Sequence, residues 1–283
     1  MDAQFNNRVM TSFFLWMDHT ILKKGNAYIT FGSKLYNVRD NFNNLYSYGL
    51  PFKQIVADSS IGTTVMSGVY LNGSFLSTGQ SGLVDINYYE GQAYFSSNKD
   101  SDIISGNYAV KDFNIYLSNE PDYKLIFEKR HIVQPRTSRA LTGLAPEDRT
   151  IPGIFLINRN LANEPFAFGG TDTTEIDIRA IVFSDNGFKL DAVNSILNDR
   201  VRTLVPIFNT SQLPFNHYGG FKTGSYNFQS LDSSTQTKAF ISKVQVSHIS
   251  NASIIIREIR DLYEDVFTSV IDFKLETQRN PRT

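Results

Sequence analysis

The chain has no cysteine in its 283 residues. Disulfides, thiolate nucleophiles and Cys-based metal sites are therefore excluded, although a secreted protein can also lack cysteine, so the compartment stays open. Charge is scarce: 19% of residues are charged and the formal net charge is −1. Without a basic balance, DNA or RNA binding is not expected as the main task. No apolar run approaches the length of about 20 residues that crosses a bilayer as a helix, so no membrane partner is expected. The start, MDAQFNNRVMTSFFLWMDHTILKK, lacks the basic end, unbroken apolar core and small-residue cleavage site of a signal peptide. Synthesis in the cytoplasm is the expectation.

Catalytic signatures are missing too. Histidine occurs at positions 19, 131, 217 and 248, with no H-x-x-x-H or H-E-x-x-H pair. There is no G-x-x-x-x-G-K-[ST], no G-x-G-x-x-G and no G-x-S-x-G. Carboxylates neighbour one another at Glu147-Asp148, Glu175/Asp177 and Glu264-Asp265. Acid pairs of this kind perform glycoside hydrolysis only at a set separation in space, and solvated side chains are the simpler account. No enzyme activity, catalytic residue, cofactor or metal site is expected.

Hydrophobic residues make up 41% of the chain, including 22 Phe and 14 Tyr, which is enough to bury a core. From Phe5, apolar residues recur at Val9, Phe13, Trp16 and Ile21, a helical spacing with Asp2 as a possible cap and Lys23-Lys24-Gly25 at the end. Met10, Phe14 and Met17 widen the stripe, so the helix is either deeply buried or lies between subunits. From Ala27 to Ile126 short alternating runs are separated by Asn72-Gly73, Gly79 and Gly91, the pattern of hairpins in a sandwich or barrel-like region.

Residues 130–152, RHIVQPRTSRALTGLAPEDRTIP, have no sustained period and carry Arg130, Arg136 and Arg139. They read as a linker or extended arm. Those arginines suit docking on an acidic neighbour; DNA contact in a channel is not favoured, because aromatics do not interleave with them. A solvated loop whose arginines pair with Glu128, Glu147 and Asp148 is the plain alternative.

Glu175–Phe208 is the clearest unit. Ile176, Ile178, Ala180 and Val182 share a strand face. Asp185-Asn186-Gly187 makes a turn and cap. Ala192, Val193, Ile196, Leu197, Val201 and Leu204 form a helical stripe, with Arg200 and Arg202 in the last turn and Pro206 as the stop. Phe240, Val244 and Val246 then alternate with Lys243 and Gln245, and Ile271, Phe273 and Leu275 with Asp272, Lys274 and Glu276. Ile255, Ile259, Leu262 and Val266 fit a short helix. The expected fold is α+β and β-rich. An N-terminal helix and a β-sandwich or barrel-like region occupy 1–129. The arm follows at 130–152. Residues 153–283 form a mostly antiparallel sheet with one or two helices.

The segments EPFAFGGTDTTEIDIRAIVFSDNGFKLDAVNSILNDR, SVIDFKL and FFLWMDHTILKKGNAY resemble virion structural proteins of tailed bacteriophages, especially marine myovirus-like phages, over most of the chain. Within that group the strand–helix plan is similar to neck and tail-terminator proteins. The resemblance implies a non-enzymatic homo-oligomeric ring in the virion, at the neck or tail end, partnered by neighbouring phage neck or tail proteins. Residues 153–283 would be the ring-subunit domain. It transfers no individual site residue. The candidate subunit contacts are Arg130, Arg136, Arg139, Asp177, Arg179, Arg200 and Arg202. The alternative is a baseplate or receptor- and glycan-binding module, for which the Tyr/Asn-rich stretch with Tyr36, Phe42, Tyr46, Tyr48 and Phe52 is the candidate surface.

Overall fold

The computed structural model describes residues 4–42, 44–127, 131–133, 149–166, 170–215, 222, 225–248 and 266–280. Helix α1 (Phe5–Gly25) buries Val9, Phe13, Trp16 and Ile21 on the expected stripe, and Met10, Phe14, Leu15, Met17 and Leu22 off it. Burial on all sides makes it the central helix of the chain's own core. Asp2 lies outside the described residues; the position before the helix is Gln4, left-handed at φ 64° and without a side-chain cap. Gly25 is the last helical residue, and the left-handed Asn26 turns the chain.

Two four-stranded sheets follow. Their strands are β1 (Tyr28–Lys34), β2 (Tyr36–Phe42), β3 (Leu45–Gly49), β4 (Gly68–Leu71), β5 (Ser74–Ser77), β6 (Leu83–Asn87), β7 (Gln92–Phe95) and β8 (Ile104–Lys111). One sheet has the order β1-β8-β4-β5, the other β2-β3-β7-β6. The β4–β5 hairpin turns at Asn72-Gly73, both at positive φ (50° and 86°), which the expected Asn-Gly turn requires.

The third sheet has six strands in the order β14-β15-β16-β13-β12-β9. They are β9 (Asn114–Ser118), β12 (Gly153–Pro165), β13 (Asp172–Ser184), β14 (Leu204–Pro206), β15 (Lys238–His248) and β16 (Phe267–Arg279). All neighbours are antiparallel except β9 and β12. Strand β9 precedes the expected arm and β12 follows it, so one sheet joins chain from both sides of residues 130–152. Of that arm, β10 (His131–Val133) and β11 (Arg149–Ile151) pair in parallel; Arg130, Arg136 and Arg139 lie outside the described residues.

The inner face of the six-stranded sheet, with Ile176, Ile178, Ala180, Ile271, Phe273 and Leu275, shares a core with α1. The Phe13 and Phe273 rings meet edge-on, 5.1 Å apart. On the other face Tyr116, Leu125, Phe155, Ile157, Ile181 and Phe183 form a smaller core, which includes helix α2 (Asp122–Phe127). The apolar run Ile154–Ile157 lies near the start of the thirteen-residue β12. Pairing of β12 with β13 continues through the polar residues to Pro165 opposite Asp172, and Asn163 accepts from Thr174 at 2.7 Å. Ladder pairing here overrides polar composition.

Asn186 caps α3 (Gly187–Asn198) as expected, accepting from the Phe188 amide at 2.8 Å. The helix stops well before Pro206, and Ala192 and Val201 are exposed. Arg200 and Arg202 therefore follow the helix, outside its last turn. The chain must reverse here for β14 to pair with β15, and Arg202 does so at φ 64°. Helix α4 (Phe228–Ser234) completes the described elements. The helix expected around Ile255, Ile259 and Leu262 lies outside the described residues. Among the described residues no helix is long and apolar enough to cross a membrane.

Side chains bond backbone groups at two places along the edges of the six-stranded sheet. On β9, Ile115 donates its amide to Gln54 Oε1 and accepts at its carbonyl from Gln54 Nε2, both at 2.7 Å. The Gln54 amide thus stands in for a neighbouring strand. Just after β14, Phe208 donates to Ser12 Oγ at 2.9 Å and accepts from Arg8 Nε at 3.0 Å. Ile115 and Phe208 are both buried, so these bonds satisfy groups that water cannot reach.

Candidate functional site: a charged sheet face and a buried clasp

Strand alternation sends Glu175, Asp177 and Arg179 of β13 to the outer face of the six-stranded sheet. Asp272, Lys274 and Glu276 of β16 lie beside them. The register pairs Arg179 with Asp272, Asp177 with Lys274 and Glu175 with Glu276. On β15 a register shift between Ile241 and Lys243 adds one residue. It turns Phe240 outward with Lys243 and Gln245, and leaves Ile241, Val244 and Val246 facing in. Simple alternation had put Phe240 inside; it is 39% exposed.

Arg179 grips Asp272 through two parallel bonds, Nε–Oδ1 at 2.7 Å and Nη2–Oδ2 at 2.8 Å. Its third nitrogen reaches Asp122 of α2. Arg159, at the bulge in β12, approaches the same carboxylate at 3.3 Å. The hydrogen bond to Asp272 leads the effects that hold the Arg179 guanidinium even more firmly charged, with Asp122 adding to it against partial burial. Lys274 Nζ pairs diagonally with Glu175 at 2.8 Å. Arg159, Asp177, Arg179, Lys243, Asp272 and Lys274 line a shallow cleft of about 300 Å³. The face mixes both signs, and its ion-paired side chains are about a quarter to a half exposed.

Of the candidate contacts, the structure brings Asp177 and Arg179 together on this face. Arg200 and Arg202 sit elsewhere, at the α3–β14 corner. Arg200 Nε donates to the Ile196 carbonyl at 3.2 Å, and the Arg202 amide donates to the Ile241 carbonyl at 2.9 Å. Sequence reading missed Asp122 and Arg159 as members of the face.

A second polar constellation lies under α1. Asp18 pairs with Lys111 at 2.8 Å, and both side chains are buried. Burial pushes the Asp18 carboxyl up, against the pull of Lys111. The next residue, His19, looks elsewhere, as adjacent helical residues must. Its Nδ1 lies 2.6 Å from Asp58 Oδ2, and its ring stacks on Phe228 at 4.4 Å. Asp58 Oδ1 accepts from the Ser60 amide at 2.9 Å, the Ser60 hydroxyl at 2.7 Å and the Phe228 amide at 3.0 Å. Burial alone would raise the Asp58 carboxyl; the hydrogen bonds from His19, the Phe228 amide and Ser60 outweigh it and hold the group below its ordinary value. Burial pushes the nearby Tyr226 hydroxyl well up, helped by the charges of Asp18 and Asp58.

Histidine, aspartate and serine meet here, yet Ser60 Oγ and Asp58 both approach Nδ1, the hydroxyl at 3.5 Å. A nucleophile relay holds its acid on one ring nitrogen and its hydroxyl on the other. This arrangement instead clasps α1, the 58–60 turn and the start of α4 together. The Asp58-Ser59-Ser60 run is a capping signal that could have been found in sequence. Among the described residues no three His, Asp or Glu side chains gather to hold a metal ion.

In the tyrosine-rich stretch Tyr48 and Phe52 are core residues. Tyr48 accepts from the Lys99 amide at 2.7 Å and donates to Asp100 at 3.0 Å. Tyr48 is therefore not available as a glycan platform, whereas Tyr36 is exposed. Phe42's side chain lies outside the described residues. Phe14, Tyr89, Leu117 and Phe215 line an apolar cleft of about 300 Å³, and Phe188 at the start of α3 is 89% exposed beside Phe267. No protein-family model matches the chain, and a search of curated proteins finds no match.

Proposed function

We propose that this chain is a non-catalytic structural subunit of a tailed-phage particle, at the neck or the end of the tail, where it assembles as a homo-oligomeric ring with neighbouring virion proteins. The observation that carries the assembly role is the outer face of the six-stranded sheet. Its side chains of both signs stand partly exposed on backbone fixed by thirteen-residue strands. Such groups exchange an intramolecular partner for one on a neighbour at little cost, and their pattern selects the neighbour. Interspersed signs favour a protein partner over a nucleic acid, whose backbone calls for a continuous basic track. The position in the particle rests on the sequence resemblance.

Mass spectrometry of purified virions tests the reading. The chain is expected among the structural proteins at several copies per particle. Synthesis during infection without incorporation into particles overturns it. The baseplate or receptor-binding alternative has Tyr36 as its exposed aromatic; binding of host-surface glycans that Tyr36→Ala abolishes would favour it.

A further inference from the structure

Along the edges of the six-stranded sheet, Gln54 bonds the backbone of Ile115 on one side, and Ser12 with Arg8 bond that of Phe208 on the other. Among the described residues, no side chain bonds the outward backbone of Thr30 and Gly32 on the edge strand β1. Two bonds bracket its ladder with β8: the Asp112 amide to the Ala27 carbonyl, and the Leu35 amide to the Ile104 carbonyl. Alternation between them turns the backbone groups of Ile29, Phe31 and Ser33 toward β8, and those of Tyr28, Thr30, Gly32 and Lys34 outward. The Tyr28 amide is taken by the Asn26 carbonyl, and Ser33 Oγ donates to the Lys34 carbonyl. Among the described residues the amides and carbonyls of Thr30 and Gly32 have no partner, and both residues are exposed. The run YITFGSK is rich in β-branched and aromatic residues, has no proline and carries one charge, at its end. Natural edge strands of this length are usually protected.

We infer that β1 is an association edge that takes β1 of a second copy, antiparallel, about a two-fold axis at Phe31. The outward residues dictate this register. Setting Thr30 opposite Gly32 and Tyr28 opposite Lys34 is the one antiparallel alignment that engages all four. Amides of Thr30 and Gly32 then meet carbonyls of the same pair in the other copy, twice over, and the Lys34 amide meets the Tyr28 carbonyl at each end. Phe31 faces Phe31 across a non-hydrogen-bonded position, where side chains lie closest. Charge agrees with the pairing: each Lys34 lies against a Tyr28 ring, and the two lysines sit at opposite ends. The contact is isologous and closes at two copies. It is small, so its dissociation constant belongs in the range of about 10 μM to 1 mM. It does not depend on the virion reading, since a chain absent from particles would still dimerise through β1.

The absence of cysteine makes a direct test simple. Under mild oxidation, Phe31→Cys is expected to form a disulfide-linked dimer with itself. Ile29→Cys and Ser33→Cys, which the register sets opposite each other, are expected to cross-link in a mixture and not alone, because each lies far from its own copy. Sedimentation of the unmodified full chain up to about 1 mM should show a monomer–dimer equilibrium. Thr30→Pro, whose lost amide points away from β8, should weaken it by about tenfold or more. A chain that stays monomeric throughout overturns the inference. So does equal self-cross-linking at positions 29 and 31, or unchanged association of a folded Thr30→Pro chain. If that variant does not fold, the cross-linking pattern decides alone.

Discussion

Asp18–Lys111 and Arg179–Asp272 are ion pairs of nearly equal length, 2.8 and 2.7 Å. The first joins α1 to β8 with side chains 4% and 8% exposed; the second joins β13 to β16 with side chains 25% and 39% exposed. Similar geometry has different consequences because the surroundings differ. In the interior each charge has given up its water, so removing one partner leaves the other stranded. On the sheet face water and neighbouring charges replace a lost partner, so the pair contributes little to stability and can be re-formed with another molecule. Interior ions here hold the fold; those on the outer face are available for recognition.

Breaking the interior side should have the largest effect. Lys111→Met leaves Asp18 buried without its cation and is expected to cost about 3–5 kcal/mol in urea unfolding. Adding Asp18→Leu removes the stranded charge and should recover most of the loss. If Lys111→Met costs less than 1 kcal/mol, the contrast between the two regions fails. Gln54→Ala comes next. It strips partners from both backbone groups of the buried Ile115 and should cost about 2–4 kcal/mol, read from the same unfolding curves.

Acid titration sharpens the comparison within the clasp. Asp58 has a folded pKa below its unfolded value. Its contribution is therefore fully present above about pH 4 and lost as pH falls through the folded value. Asp18 is raised, so folding takes up a proton between the unfolded and folded values. Its contribution has the opposite sign and falls as pH rises through that window. Stability measured from pH 6 downward should drop more gently in Asp58→Asn than in the unmodified chain, and more steeply in Asp18→Asn. Parallel curves for all three would show that the clasp does not govern the acid limb.

Alternation at Ile176, Ile178, Ala180 and Val182, the Asn72-Gly73 turn and the Asn186 cap were legible in sequence, because each is set by neighbours along the chain. The β-rich α+β class followed from them. Phe240 was not placed correctly, since a single extra residue in β15 reverses the faces and leaves no composition signal. The end of α3 was misplaced because Pro206 marks where a helix cannot continue, while strand pairing ended it earlier. Arg179 and Asp177 were legible as candidates from alternating charge. Asp122 and Arg159 were not: one sits on a short helix and the other on a bulge, and only the folded sheet brings them to the same carboxylate. Neither the Asp18–Lys111 pair nor the bonding of Gln54 to Ile115 has a local signature, as each joins segments distant in sequence.

The smallest effect is expected on the outer face, where it is also the most informative. Arg179→Met removes the bidentate bond to Asp272 and the contact with Asp122, yet all three groups are reached by water. The loss should be about 1 kcal/mol or less at low salt and should shrink toward zero near 1 M salt, where screening acts over about 3 Å. Met keeps the aliphatic stem against the sheet, so the change reports charge with little loss of packing. If the face serves assembly, the same substitution should weaken incorporation into particles far more than it lowers the unfolding midpoint. Equal loss in both measurements would make these ion pairs an ordinary brace of the fold. Loss of incorporation alone would mark Arg179 as part of the surface that a neighbour reads.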